Sequence, residues 1–153
     1  MKTPKIRREA YLNFLHTWQE RDVIKVLSGV RRSGKSTLLA SFQQDLLAQG
    51  VQAENIIAIN FELMEFEELT DYRKLHQYIL AKVDQNKQNY VFLDEIQHVP
   101  QFEKVVDSLY VRDYIDLYIT GSNAFFLSGE LATLLTGRYI EQHILPLSFQ
   151  EFK

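Results

Sequence analysis

Short, continuous apolar runs alternate along the chain with longer stretches whose apolar residues recur every three or four positions. The first pattern predicts strands buried in a sheet; the second predicts helices packed on it. Ile6, Ala10, Phe14 and Trp18 share one face of a predicted helix over 6–19. Val23–Leu27 reads as a first strand, and a helix then runs from Lys35 to Gln49, where Gly50 supplies the left-handed stop. Ile56–Ile59 is apolar throughout, as expected of a strand covered on both faces. Thr70 is placed to cap a helix reaching Gln85. Tyr90–Leu93 is a third strand that ends in Asp94 and Glu95. A helix over Phe102–Val111, a strand over Leu117–Thr120, a short helix near Gly129–Leu135 and a strand over Tyr139–Leu145 complete the pattern.

Five strands separated by helices require parallel pairing through right-handed crossovers, which makes an α/β architecture with a covered sheet. Ligands of such sheets gather at the carboxyl ends of the strands, where the motifs described below are expected to lie. No internal repeat, low-complexity stretch or Pro/Gly-rich linker interrupts the order.

Composition narrows the classes. A chain of 153 residues, 46% apolar and 24% charged, suits one folded domain with a single core. The net charge of −3 provides no global attraction to nucleic acid or to an anionic membrane. The charge is uneven: residues 1–50 carry nine Lys/Arg and four Asp/Glu, the remainder eight and sixteen. A positive first third suits a polyanionic ligand such as a triphosphate, though a solvated surface explains it equally well. The absence of cysteine excludes disulfides, thiolate zinc sites and cysteine nucleophiles. The four histidines show no metal-ligand spacing. Glu62, Glu65, Glu67, Glu68 and Asp71 are too irregularly spaced for a metal loop and read as a solvated one. The amino terminus is too polar for a signal peptide, and no apolar run approaches the ~20 residues of a membrane helix, so a cytoplasmic protein is expected.

Gly29-Val30-Arg31-Arg32-Ser33-Gly34-Lys35-Ser36 matches G-x-x-x-x-G-K-S/T in full. Phosphate oxygens need many short N–H donors at once, and Gly29 and Gly34 allow the backbone to approach them. Lys35 is expected to reach the β- and γ-phosphates, Ser36 to ligate Mg²⁺, and Thr37 to donate to the α-phosphate. Asp94 and Glu95 form an adjacent pair at a strand end, where successive side chains diverge. Asp94 is expected to hold Mg²⁺ through its water shell, and Glu95 to orient and deprotonate the attacking water. Asn60, at the end of the second strand, is a candidate gate hydrogen-bonded to Glu95, and a plain polar strand terminus explains it equally well. Within Thr120-Gly121-Ser122-Asn123, Ser122 is favoured over Asn123 as a contact to the γ-phosphate or the water; an N-cap role explains the same residues. Arg138 is a candidate arginine finger, with a structural role as the favoured alternative. Asn89 stands where the Asp of an N-K-x-D guanine motif must be, which disfavours a GTPase. Leu127-Ser128-Gly129-Glu130 lacks the remainder of a transporter signature.

The segments GVRRSGKST, INFE at Ile59–Glu62, YVFLDEIQ, YITGSNAFFLSGELATLLTGRY and ILPLSFQEF together resemble bacterial and archaeal AAA+-superfamily ATPases with an N-terminal AAA-type domain and a C-terminal domain. The resemblance spans nearly the whole chain. It implies a P-loop NTPase three-layer α/β/α sandwich with a five-stranded parallel sheet in the order 5-1-4-3-2. It also implies ATP as the nucleotide, Lys35, Ser36 and Thr37 as its contacts, Asp94 on Mg²⁺, Glu95 as base and Ser122–Asn123 as sensor. Arg138 falls in the family's recurrent Gly-Arg pair. The helical lid and C-terminal domain of that family are missing up to Lys153, so residues 1–153 are expected to be an ATPase core cut from a longer protein. Three readings follow: an ATP-hydrolysing core, with a finger-sharing homo-oligomer as a candidate assembly; a module that binds ATP without efficient turnover and signals to the missing domain; and, least supported by the net charge, a DNA reader using Arg31 and Arg32.

Overall fold

The computed structural model describes residues 9–30, 33–122, 133, 135 and 138–146. In chain order the elements are α1 (Glu9–Trp18), β1 (Ile24–Ser28), α2 (Lys35–Ala48), β2 (Ile56–Asn60), α3 (Tyr72–Lys82), β3 (Asn89–Asp94), α4 (Phe102–Tyr110), β4 (Ile115–Gly121) and β5 (Tyr139–His143). The strands form one sheet in the order β2-β3-β4-β1-β5, every neighbouring pair parallel. This is the order that the family resemblance implies.

Alternation along the strands divides the core into two layers. Ile24, Val26, Val91, Leu93, Leu117 and Ile119 face α3 and α4, meeting Leu75, Ile79, Val105 and Leu109. Leu27, Tyr90, Phe92 and Tyr118 face α1 and α2, meeting Leu12, Leu15, Leu38 and Phe42. The rings of Phe92 and Tyr118 stack at 4.7 Å between centroids, with Phe42 against both. At the amino end of the sheet Lys25 Nζ lies 2.5 Å from Asp116 Oδ1, both side chains almost fully buried. Tyr118 Oη and Glu20 N also donate to this carboxylate. Burial holds the Lys25 amine below its ordinary value and Asp116 above its own, while their mutual attraction opposes each shift.

Several expectations are corrected. The apolar run of β2 is not covered on both faces: β2 is an edge strand and Ala58 is exposed. The buried residues of α1 are Leu12 and Leu15, and Ala10 is exposed, so its inner face is rotated from the one the spacing predicts. Asp71, one residue after Thr70, caps α3 by accepting from Arg73 N and Lys74 N. The helix ends at Lys82 rather than Gln85 because Asn89 pins the following turn through Asp84 N, Asp84 O and Lys87 O. The acidic stretch forms a 3-10 helix over Met64–Thr70 rather than a loop. The helix expected near 129–135 lies mostly outside the described residues.

Candidate functional site

The site is built where β1, β3 and β4 end. After Ser28 the chain runs close against the residue that follows β5: Ile144 N donates to Ser28 O at 2.7 Å. A Cβ on Gly29 would sit 2.7 Å from Ile144 O and 2.8 Å from Ser33 Oγ, so only glycine fits there. Gly34 takes a left-handed conformation (φ 95°) and opens α2 without any side-chain cap. Gly34 thus caps none of the first-turn N–H groups of α2, which point outward at the positive end of the helix dipole, where an anion is favoured.

Lys35, almost fully buried, donates from Nζ to Gly29 O (2.8 Å) and Val30 O (3.0 Å) and lies 3.6 Å from Glu95 Oε2. Ser36 Oγ donates to Asp94 Oδ2 at 2.5 Å, joining the start of α2 to the end of β3. The other Asp94 oxygen accepts from Thr120 Oγ1 at 2.5 Å, and Thr120 Oγ1 accepts from Glu95 N at 2.9 Å. Burial pushes the Asp94 carboxyl above its ordinary value, against the hydrogen bonds from Ser36 and Thr120. Glu95 follows in a left-handed conformation and accepts from Gln97 Nε2 at 2.7 Å. The adjacent acids thus take separate partners. A cleft of about 210 Å³ opens beside them, lined by Ser36, Asp94, Asn60, Leu39, Leu63 and Phe66. A larger one, about 490 Å³, sits at the amino end of the sheet beside Asp22 and Asp116, away from this constellation.

Lys35, Ser36, Asp94 and Glu95 are therefore brought together as the spacing predicts. Val30 and Thr37 are exposed at the loop and the first turn, and Ser122 is half-buried just past β4. Arg31, Arg32 and Asn123 lie outside the described residues. Asn60 Oδ1 accepts from Glu62 N, and the amide bonded to Glu95 is that of Gln97. Arg138 is not at a carboxyl end: it precedes β5, pairs with Asp107 at 2.6 Å and lies over the Tyr110 ring.

Thr120 escaped sequence reasoning, although it lies two residues before Ser122. Its signal was a hydroxyl at the carboxyl end of the strand. The register of Leu93 with Ile119 then sets Thr120 beside Asp94.

The model of an AAA domain family matches residues 21–153. The chain is 48% identical to an uncharacterised protein of Haemophilus influenzae over 153 residues, 99% of this chain and 38% of that one. It is 37% identical to an uncharacterised protein of Methanocaldococcus jannaschii over 134 residues, 84% of this chain and 28% of that one. The chain thus spans well under half the length of these relatives. Among solved structures, the Aeropyrum pernix ORC1 protein in complex with DNA aligns with a TM-score of 0.63 at 15% identity, covering 98% of this chain and 48% of that one. AMPPCP-bound DnaA from Aquifex aeolicus aligns at 0.58 and 14% identity, covering 99% and 49%. At these identities the structures share the fold.

Proposed function

The chain belongs to the AAA domain family, and from that premise we propose that it binds ATP with Mg²⁺ and hydrolyses it. The observation that carries this reading is the contact between Ser36 Oγ and Asp94 Oδ2, with Lys35 Nζ a few ångströms from Glu95. A hydroxyl and a carboxylate oxygen side by side are the hard donors that Mg²⁺ takes, directly or through water. Among the described residues no group of three His, Asp or Glu converges, so they provide no all-protein metal cage. The arrangement fits an ion shared with substrate phosphates. Ser36 and Asp94 would hold it, and it would offset charge on the phosphate oxygens.

The loop from Gly29 to Ser33 and the first turn of α2 would wrap the phosphates with N–H groups. Lys35 would exchange its carbonyl partners at Gly29 and Val30 for β- and γ-phosphate oxygens, keeping its hydrogen bonds. Glu95 would accept a proton from water as the water oxygen bonds to the γ-phosphorus. The β–γ bridging P–O bond breaks, releasing ADP and phosphate. Thr120 would keep both acids in place, and Ser122 and Asn123 remain candidates for contact with the γ-phosphate. ATP over GTP, a cytoplasmic location, and cooperation of residues 1–153 with a lid and a C-terminal domain belong to the same proposal. No described helix is long and apolar enough to cross a membrane.

Calorimetry and phosphate-release assays test it. Lys35→Ala should abolish ATP binding, whereas Glu95→Gln should retain binding and lose turnover by about 10²–10⁴-fold. Binding by the Lys35 variant equal to that of the parent would refute the assignment. A second reading, nucleotide binding without efficient turnover, is favoured by the engagement of Arg138 with Asp107, which leaves that guanidinium occupied within its own chain. Robust, Glu95-dependent phosphate release would remove it.

A further inference from the structure

Glu95 leaves β3 with φ 61° and ψ 54°, a conformation that non-glycine residues seldom adopt. A 3-10 turn over Ile96–His98 follows, anchored by Ile96 and Val99, both essentially inaccessible. The turn folds the chain back on itself, so that Gln97 meets the side chain two residues before it. Gln97 Nε2 donates to Glu95 Oε1 at 2.7 Å. The amide orientation follows from its partner, because only the NH₂ end can face a carboxylate. The Gln97 carbonyl, Oε1, is then buried with no hydrogen-bond partner among the described residues. Buried acceptors are rarely left in that condition unless water or ligand completes them.

We propose that Gln97 is a positioning residue for Glu95: its amide N–H pins one carboxylate oxygen, and its unpartnered carbonyl accepts a hydrogen bond from the water that Glu95 deprotonates. The two Glu95 oxygens are thereby distinguished. Oε1 is held by Gln97, and Oε2 faces Lys35 Nζ at 3.6 Å. When Lys35 turns to phosphate, Oε2 is the oxygen left to take the proton. One hydrogen of the water goes to Glu95 Oε2, the other is held by Gln97 Oε1, and the water oxygen bonds to the γ-phosphorus as the bridging bond breaks. Asn60, the gate suggested by its strand-end position, bonds to its own following turn instead.

The inference rests on the hydrolysis reading, and the experiment separates the two. In the full-length protein, Gln97→Leu removes both polar ends at similar volume, and Gln97→Glu keeps an acceptor but sets it against Glu95. The parent, Lys35→Ala and Glu95→Gln are run beside them. The expected result is a kcat lowered about 10²-fold in Gln97→Leu, with KM and the ATP dissociation constant unchanged. Affinity for ADP with aluminium fluoride, a transition-state mimic, should weaken in parallel, while affinity for ADP alone holds. Gln97→Glu should be no better than Gln97→Leu, and Gln97→Leu should cost nothing further in the Glu95→Gln background. Turnover and aluminium fluoride affinity at parental levels in Gln97→Leu overturn the inference alone. A uniform loss of ATP, ADP and mimic binding in both variants, with a lowered unfolding midpoint, overturns it in favour of a purely structural turn. Parental phosphate release that survives both Lys35→Ala and Glu95→Gln overturns the hydrolysis reading, and the inference with it.

Discussion

Thr120 Oγ1 donates to Asp94 Oδ1 at 2.5 Å from the neighbouring strand, and both groups are buried. Its lone pair accepts the Glu95 N–H, so one hydroxyl ties the side chain of one acid to the backbone of the next. The pairing of β3 with β4 thereby becomes the alignment of the site.

Thr120→Val keeps the shape and removes the oxygen. It should cost about 1–3 kcal/mol of stability, because the Glu95 N–H and an Asp94 lone pair lose their partner in a buried place. Thr120→Ser should recover most of it. Denaturant unfolding without nucleotide measures both, and equal stability of parent and Thr120→Val would show that the bond contributes nothing.

Two glycines should fail for different reasons. Gly29→Ala forces a Cβ against the backbone of Ile144, which cannot rotate away. It should lose about 1–3 kcal/mol and weaken ATP binding, since the loop must shift. Gly50→Ala has open space around its Cβ but must hold φ 101°. It should cost about 1–2 kcal/mol and leave ATP affinity unchanged. Unfolding midpoints together with calorimetry distinguish the two patterns.

Lys25→Met should destabilise by about 3–5 kcal/mol, because it strands Asp116 as an uncompensated buried charge. Adding Asp116→Asn should return part of that loss, a non-additivity that a double-mutant cycle reads directly. The pH dependence has a definite sign. The Asp116 carboxyl already sits above its unfolded value, and losing Lys25 removes the attraction that holds it down. A raised acid contributes stability in full below its unfolded value near 3.8 and loses it as pH rises through the folded one. The deficit of Lys25→Met relative to the parent should therefore shrink as pH falls towards that range. A deficit that is constant or grows on acidification would contradict this account.

Arg138→Ala should cost no more than about 1 kcal/mol, as expected of a partly exposed ion pair with Asp107, and phosphate release per chain should be maintained. A finger role predicts instead a loss of about 10³-fold or more. The two outcomes are far enough apart for a simple turnover assay.

The phosphate loop was legible because its chemistry is local: Gly29, Gly34, Lys35 and Ser36 act through the backbone angles and helix start that their own order dictates. Asp94 and Glu95 were legible as the polar end of an apolar strand. The strand order was not readable from residues alone; it came from resemblance to a family. Asn60, Gln97 and Thr120 show the limit. Their sequence positions placed each near a strand end, but which side chain would meet which acid depended on register and on the turn after Glu95.

By itself the sequence determined the alternation of strands and helices, the loop that can wrap phosphates and the pair of acids, since consecutive residues control backbone conformation directly. Tertiary structure alone decided that Thr120 meets Asp94, that Gln97 holds Glu95, that Lys25 is buried against Asp116, and that Arg138 turns to Asp107. Most of those partners lie tens of residues apart, brought together only by the order in which parallel strands pair. Gln97 and Glu95 are two apart, but they meet only because the core anchors Ile96 and Val99 and so folds the turn between them.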